Sequence, residues 1–246
     1  MISEFPLFIF TLLGGAGAGS YLFLAIFPSK KKAKPWQAPL IVILLLAISG
    51  LALLTHLGHP ERMFLAFSNP TAGITIEGYA MIGFGVMVAI DLVMSIVCKR
   101  SNKAVKVITA IFGLLLLLAM AYAYASFLAI PVWATWQTYG MFVIGGLAMG
   151  SLLSALYVEG GFSERALLAT TMVLQVLMAA TLVLEGAVFA SEGYTMIPFV
   201  LGSILEIASA AIVFIGRKGA SWAIPLSLAL SVIGIAIARY AFYSVL

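Results

Sequence analysis

Long runs of apolar residues alternate with short polar segments along the whole chain. Each run is about 20 residues long, the length that an α-helix needs to cross the roughly 30 Å hydrocarbon core of a membrane. A spanning β-barrel would require short strands of alternating polarity, a pattern that this sequence lacks. We therefore predict eight spanning helices, at about 6–27, 38–57, 77–98, 105–128, 139–158, 165–190, 196–215 and 221–243.

The composition supports this interpretation, with 63% hydrophobic and only 9% charged residues. Soluble globular proteins contain about 25% charged residues, so an ordinary soluble domain is excluded. We expect an all-α, polytopic membrane helical bundle that forms a single integral-membrane domain over residues 1–246. The net charge of +4 does not indicate nucleic-acid binding, because the basic residues lie in short loops between the apolar runs.

The basic residues also predict how the protein is oriented. The loops after the odd-numbered spans contain Lys30, Lys31, Lys32, Lys34, Lys99, Arg100, Lys103, Lys106, Arg165, Arg217 and Lys218. These are 11 of the 13 Lys and Arg residues. Loops rich in Lys and Arg stay in the cytoplasm. We therefore expect both termini to be extracytoplasmic, in a multi-pass protein of a bacterial or archaeal cytoplasmic membrane.

The most polar segment on the other side begins at the end of the second predicted span. It contains His56, His59, Glu61 and Arg62, and Glu77 begins the third predicted span. Ionisable groups at a membrane edge are costly to bury and often mark a functional site. The alternative is structural: a histidine at a helix end beside an interfacial Glu–Arg ion pair. The residues alone favour neither interpretation.

A quinol site is the functional interpretation that suits these residues. Oxidation of a quinol releases protons, and a neutral imidazole such as His56 titrates in the range suited to accept one. Glu77 could accept or relay the second proton, and Arg62 could hold nearby charge.

A haem or zinc site fits the same segment less well. His56 and His59 are three residues apart, with Pro60 next in the sequence, so they could not hold a haem from opposite sides. With Glu61 they would provide only three ligands for zinc, without a fourth. A single cysteine, Cys98, excludes intrachain disulfides and clusters held by several thiolates. We expect no haem and no metal in this protein, and any iron–sulfur centre must belong to a partner.

Several ionisable residues lie inside the predicted spans. Arg239 could extend to the interface or pair with an acid such as Glu77 or Glu185, and we favour pairing. Asp91, Glu185 and Glu206 could serve as proton relays or could be protonated and hydrogen-bonded within the bundle. The sequence leaves this choice open.

Small and aromatic residues mark two further features. The glycine-rich segment 14–20 has no preceding strand and lies in an apolar helix, so it predicts close helix packing rather than nucleotide binding. Gly146 and Gly150 predict the same in the fifth span. Trp133 and Trp136 are expected in an aromatic belt at the membrane interface.

Short motifs occur in a fixed order along the sequence. They are Glu4-Phe5-Pro6-Leu7 with Phe10-Thr11, His56-Leu57-Gly58-x-Pro60, Glu77, Pro131-x-Trp133 with the glycine-rich fifth span, and Arg239-x-x-Phe242-Tyr243. In this order they resemble the membrane-anchor subunits of dimethyl sulfoxide reductase. That family also has eight spans with both termini outside.

The resemblance implies a haem-free menaquinol oxidase with two partners on the extracytoplasmic face. One is a four-cluster ferredoxin-like iron–sulfur subunit, and the other is a molybdopterin catalytic subunit that holds the molybdenum. The functional histidine of the family falls on His56 and its functional glutamate on Glu77. Arg62 and Arg239 are expected as charge partners for the quinol. Gly15 replaces a glutamine that is familiar in the family, and His59 replaces a small or polar residue.

Three other functions remain open. The protein could anchor a related polysulfide or nitrite reductase, since such anchors share a similar helical plan. It could be a small ion- or proton-coupled transporter that uses Asp91 and Glu206, although no inverted repeat is visible. It could also be an anchor without a quinone site. The terminal electron acceptor, the quinone species and the direction of electron flow are not encoded in recognisable residues.

Overall fold

The computed structural model describes residues 4–30, 34–56, 68–100 and 102–245. Within these ranges the long helices are α1 Phe5–Ile26, α2 Gln37–His56, α3 Gly73–Val97, α4 Lys103–Ala125, α5 Trp136–Ala155, α6 Arg165–Ser191, α7 Ile197–Gly216 and α8 Ala223–Tyr243. All 8 are long and apolar enough to cross a membrane, which confirms the predicted helical bundle. The bounds agree with the predicted spans to within a few residues. The start of α3 differs most, because Gly73 and the residues after it add a helical turn before Glu77.

Successive helices run in opposite directions, so the bundle has two distinct ends. The end with α1 finishing at Ile26 and α4 beginning at Lys103 is called the lysine-rich end. The opposite end contains the start of α1, the end of α4 and the end of α8. The central helix is α1, which packs against α2, α4, α5 and α8. Helix α3 packs against α4 and α2. Helices α6 and α7 pack against each other, with α6 also against α5 and α7 against α8.

Glycines allow the backbones of α1 and α5 to touch. A Cβ atom at Gly19 would collide with the carbonyl group of Gly146, and one at Gly150 would collide with the backbone of Gly19 and Ser20. The predicted role of these glycines in close packing is therefore confirmed.

The fifth helix contains one π-helical turn, Gly140–Ile144, between the α-helical segments Trp136–Tyr139 and Gly145–Ala155. Such turns change the direction of backbone carbonyls and often occur at functional sites. The turn contains Met141, whose carbonyl oxygen accepts a hydrogen bond from Arg239.

Candidate functional site

A cavity of about 410 Å³ lies at the opposite end of the bundle, between α1, α3, α4 and the connection from α4 to α5. The residues around it are Glu4, Leu7, Gly73, Ile74, Glu77, Ala123, Tyr124, Ser126, Phe127 and Trp133. Ser126 and Phe127 are exposed at its rim, whereas Glu77, Tyr124 and Trp133 are buried. A mostly apolar cavity with a few polar groups is typical of a small-molecule site.

Glu77 provides a buried carboxyl group in this cavity. Gly73 lets the start of α3 approach α4 closely, since a Cβ atom there would lie 3.1 Å from the Cα atom of Ala123. This approach brings Glu77 close to Tyr124. Only 3% of Glu77 is exposed. Within the described part of the protein, neither Oε1 of Glu77 nor the hydroxyl of Tyr124 has a hydrogen-bond partner. Buried polar groups are usually paired, so an unpaired set beside a cavity indicates a polar ligand.

Aromatic rings form the inner wall of the cavity. The ring of Tyr124 stacks on Phe142 at 5.0 Å and meets Trp133 edge-on at 5.5 Å. Trp133 stacks on Phe242 at 5.0 Å, and its indole N–H donates to the carbonyl oxygen of Phe242 at 2.8 Å. These contacts hold a rigid surface suited to a flat ring. Tyr124 was not predicted from the sequence, because nothing there distinguishes it from other interfacial tyrosines.

The two tryptophans therefore differ in environment. Trp133 is only 4% exposed, so the expectation that it belongs to an interfacial belt is wrong. Its N–H group can be buried because the end of α8 supplies a carbonyl acceptor. Trp136 is 66% exposed, as a belt residue would be.

Arg239 is fully buried behind the aromatic wall. Its Nη1 donates to the carbonyl oxygen of Thr11 at 2.6 Å, and its Nη2 donates to that of Met141 at 3.1 Å. The guanidinium carbon lies 4.8 Å from the centre of the Phe142 ring, a cation–π distance. Among the described residues no carboxylate pairs with Arg239, so the favoured ion pair with Glu77 or Glu185 is not formed. Carbonyl oxygens and an aromatic face stabilise the cation instead.

A short series of polar groups links Arg239 with the cavity. The hydroxyl of Tyr243 lies 3.2 Å from Oγ1 of Thr11, whose carbonyl accepts from Arg239. The Tyr243 ring meets Tyr124 edge-on at 5.3 Å. The Glu77 carboxyl is close enough to act electrostatically on the hydroxyls of both tyrosines. Arg239 thus stabilises the wall from behind and does not line the cavity.

The predicted histidine site is described only in part. His56 is the last residue of α2, and its side chain lies outside the described residues. His59, Glu61 and Arg62 belong to segment 57–67, which also lies outside them. The predicted proximity of His56 and Arg62 to Glu77 therefore stays a prediction.

The three other buried acids lie apart from the cavity lining. Asp91 on α3 accepts a hydrogen bond from the Tyr21 hydroxyl on α1 at 3.1 Å. Glu206 on α7 accepts one from Ser231 on α8 at 2.9 Å. Glu185 on α6 is fully buried. Because Asp91 and Glu206 are bonded within different helix pairs, their contacts do not favour the transporter alternative.

Fold and site together define a multi-pass membrane protein with a carboxyl-bearing, aromatic-walled cavity at one end of its helical bundle. The sequence profile of the DMSO reductase anchor subunit (DmsC) matches residues 1–200, and the protein belongs to this family. The family resemblance inferred from the sequence motifs is thus confirmed.

Two relatives agree with this assignment. The C subunit of anaerobic dimethyl sulfoxide reductase from Escherichia coli (strain K12) is 28% identical over 210 residues, which cover 76% of this sequence and 70% of that protein. The subunit of the same name from Haemophilus influenzae (strain ATCC 51907 / DSM 11121 / KW20 / Rd) is 27% identical over 167 residues. That match covers 61% of this sequence and 58% of the relative.

Proposed function

We propose that this protein anchors a molybdenum-cofactor reductase in the membrane and oxidises menaquinol in the cavity beside Glu77. One observation carries the proposal: a buried carboxyl and a buried phenol, each with unused hydrogen-bonding capacity, share an aromatic-walled cavity. A quinol headgroup is a flat ring with two hydroxyl groups. Its ring suits the aromatic wall, and its hydroxyls suit Glu77 and Tyr124.

The groups proposed at this end of the bundle account for every proton and electron that quinol oxidation releases. Quinol loses two electrons and two protons to become quinone. In its ionised form the Glu77 carboxyl can accept one proton from a ring hydroxyl, and His56 at the end of α2 is proposed to accept the other. The two electrons pass to an iron–sulfur partner subunit. Arg62 is proposed to hold charge near the headgroup, and Arg239 to stabilise the wall behind it.

The partners are proposed from the family to which the protein belongs and from the surface near the cavity. We infer that an iron–sulfur subunit with four clusters and a molybdopterin subunit dock at this end. Leu128 is 82% exposed and Phe127 is 48% exposed on the connection from α4 to α5. Large apolar side chains that would otherwise face water favour a covering partner. A cluster docked here would also be near the cavity.

Filling the cavity tests the proposed quinol site. Ile74 lines the cavity on α3 without being fully buried. In Ile74→Trp the larger side chain would occupy part of the cavity, so we expect the KM for a menaquinol analogue to rise about tenfold, which corresponds to about 1.4 kcal/mol of lost binding. The matched control is Ile82→Trp, the same substitution at an exposed position of α3 outside the cavity lining, which should leave KM unchanged. KM is measured for both variants from the rate of quinol-dependent reductase turnover. Equal KM values in Ile74→Trp and the unsubstituted protein would contradict the assignment, provided that both complexes co-purify with their partners.

The proposed orientation places the lysine-rich end in the cytoplasm. Cys98 is the only cysteine of the sequence, is exposed and directly follows α3 at that end. A membrane-impermeant maleimide should therefore label the anchor in inside-out vesicles and not in intact spheroplasts. Cys98→Ser gives the background of the measurement. Labelling in spheroplasts would reverse the orientation and move the cavity to the cytoplasmic face.

A further inference from the structure

A second cavity lies at the lysine-rich end, on the far side of the bundle from the first. It has a volume of about 320 Å³ and lies between the end of α1 and the first turn of α4. Its polar lining consists of Ser29, Lys103 and Lys106. A groove of about 400 Å³ adjoins it along α1 and α4, and both spaces are lined by Ala25, Ile26 and Lys103. A cationic chamber thus continues into an apolar groove.

Lys106 is an unusual residue for the wall of such a chamber. Its side chain is only 4% exposed, and its ammonium group donates to Oγ of Ser29 at 3.0 Å. An ammonium group has three donors. The other two have no partner in the described part of the protein, and no carboxylate there lies within ion-pairing distance. Asp91 acts on it electrostatically, with its Oδ2 accepting from the Tyr21 hydroxyl and its Oδ1 unpaired among the described residues. Asp91 thus supplies negative charge without bonding to the ammonium group, whose unused donors stay available to an anionic ligand.

The chamber is held in place by backbone contacts. Ser29 forms an antiparallel bridge with Val158 of the connection from α5 to α6. Backbone N–H groups of Lys30 and Glu159 donate across this bridge, each at 2.8 Å, to the carbonyl oxygens of Tyr157 and Pro28. The Ser29 hydroxyl therefore has a fixed position beside Lys106. This makes the chamber a preformed site rather than a pair of mobile surface lysines.

The groove has the dimensions of a lipid chain. Its lining on α4 runs from Lys103 through Val107 and Ile111 to Leu114, eleven residues further on. At 1.5 Å per residue this is about 16 Å, roughly half of a 30 Å hydrocarbon core. Val107 and Ile111 are 42% and 53% exposed, so apolar surface is open along this depth.

We propose that this chamber and groove bind one anionic phospholipid. The phosphate lies between Lys103, Lys106 and Ser29, and one acyl chain lies in the groove between α1 and α4. Basic pockets between transmembrane helices suit anionic headgroups because their ammonium groups attract the lipid phosphate. A free phosphate would satisfy the lysines but would leave the adjoining groove uncovered. Since the cavity at the opposite end plays no part, this site is independent of quinol oxidation.

Lipid titration measured by native mass spectrometry tests the headgroup. With the purified complex, we expect phosphatidylglycerol to bind more tightly than phosphatidylcholine of the same chains. A lysine near an anionic headgroup contributes about 1 kcal/mol, so Lys103→Gln and Lys106→Met should each weaken phosphatidylglycerol binding about fivefold. The control is Lys218→Gln, an exposed lysine of the same end outside both spaces. Lys103 is also exposed, so its variant stays informative if Lys106→Met fails to fold.

Two further measurements separate a lipid from a free anion. Val107→Trp should weaken binding of long-chain phosphatidylglycerol by filling the groove, whereas Val173→Trp, equally lipid-facing on α6, should not. Inorganic phosphate should not displace the bound lipid. Displacement by phosphate together with no effect of Val107→Trp would identify a free-anion site and overturn the lipid assignment. Equal affinity for phosphatidylglycerol and phosphatidylcholine would overturn the lipid assignment as well. So would an equal loss of phosphatidylglycerol affinity in Lys103→Gln and Lys218→Gln.

Discussion

Glu77→Lys is expected to abolish quinol-dependent reduction while the complex still assembles. The substitution removes the proposed proton acceptor and places a cation beside Tyr124 in a buried cavity. Glu77→Gln is the sharper variant, because it keeps the shape and removes only the ability to accept a proton. Positioned acid–base groups contribute about 10² to 10⁴ in rate, so turnover with a menaquinol analogue should fall at least about a hundredfold. His56→Arg is expected to have a similar effect.

The experiment must distinguish a loss of quinol oxidation from a failure of the complex to assemble and from a defect later in the electron path. Co-purification of the partner subunits reports assembly, and reduction by an artificial donor to the iron–sulfur subunit reports the remainder of the electron path. Co-purification of the partners and the rate of reduction by the artificial donor should both be unchanged in Glu77→Gln. The matched control is Glu192→Gln, an exposed acid at the end of α6 on the same side of the bundle. Menaquinol-analogue oxidation at the unsubstituted rate in Glu77→Gln would refute the role assigned to this carboxyl.

Gly150→Ala is expected to destabilise the whole bundle. The added methyl group would collide with backbone atoms of Gly19 and Ser20, which have less freedom to move aside than side-chain atoms have. Overpacking costs about 1–3 kcal/mol where side chains adjust, and we expect more than about 3 kcal/mol here. Since α1 is the central helix, separating it from α5 also disturbs both cavities. The thermal midpoint of the purified complex should fall markedly, with little protein recovered from membranes.

The control for this change lies in α3. Gly85 has no atom within 4 Å of the position that a Cβ atom would occupy. Gly85→Ala should therefore be neutral or slightly stabilising, because alanine favours a helix by about 1 kcal/mol over glycine. If both variants have the same thermal midpoint, the direct backbone contact of α1 with α5 does not limit stability.

Hydrophobicity along the sequence was enough to predict the eight helices, because a helix in lipid satisfies its own backbone and needs only sufficient length. The end of α2 and the start of α3 were found to within a few residues for the same reason. Glu77 could be singled out as well, since a carboxylate near an apolar span is rare enough to be noticed. The close packing at Gly150 was likewise predictable from small residues alone.

Contacts between segments that are far apart in the sequence could not be predicted from the polarity of each segment. Trp133 was expected at the lipid interface, but its burial depends on a carbonyl oxygen of Phe242, which is 109 positions away. Arg239 was expected to pair with an acid, yet its partners are carbonyl groups, one of them in a π-helical turn that no local pattern indicated. Tyr124 lies beside Glu77 where Gly73 allows α3 to approach α4.

The sequence by itself determined the class of protein, the eight long helices of the described residues and the distribution of charge between the two ends, and it singled out Glu77 as a candidate site residue. These properties depend on each segment's own polarity and length, which are local. The tertiary structure alone decided which groups surround Glu77, what stabilises Arg239 and that Lys106 meets Ser29 beside an apolar groove. Such arrangements depend on how closely helices pack and where backbone carbonyls point, and these are properties of the assembled bundle.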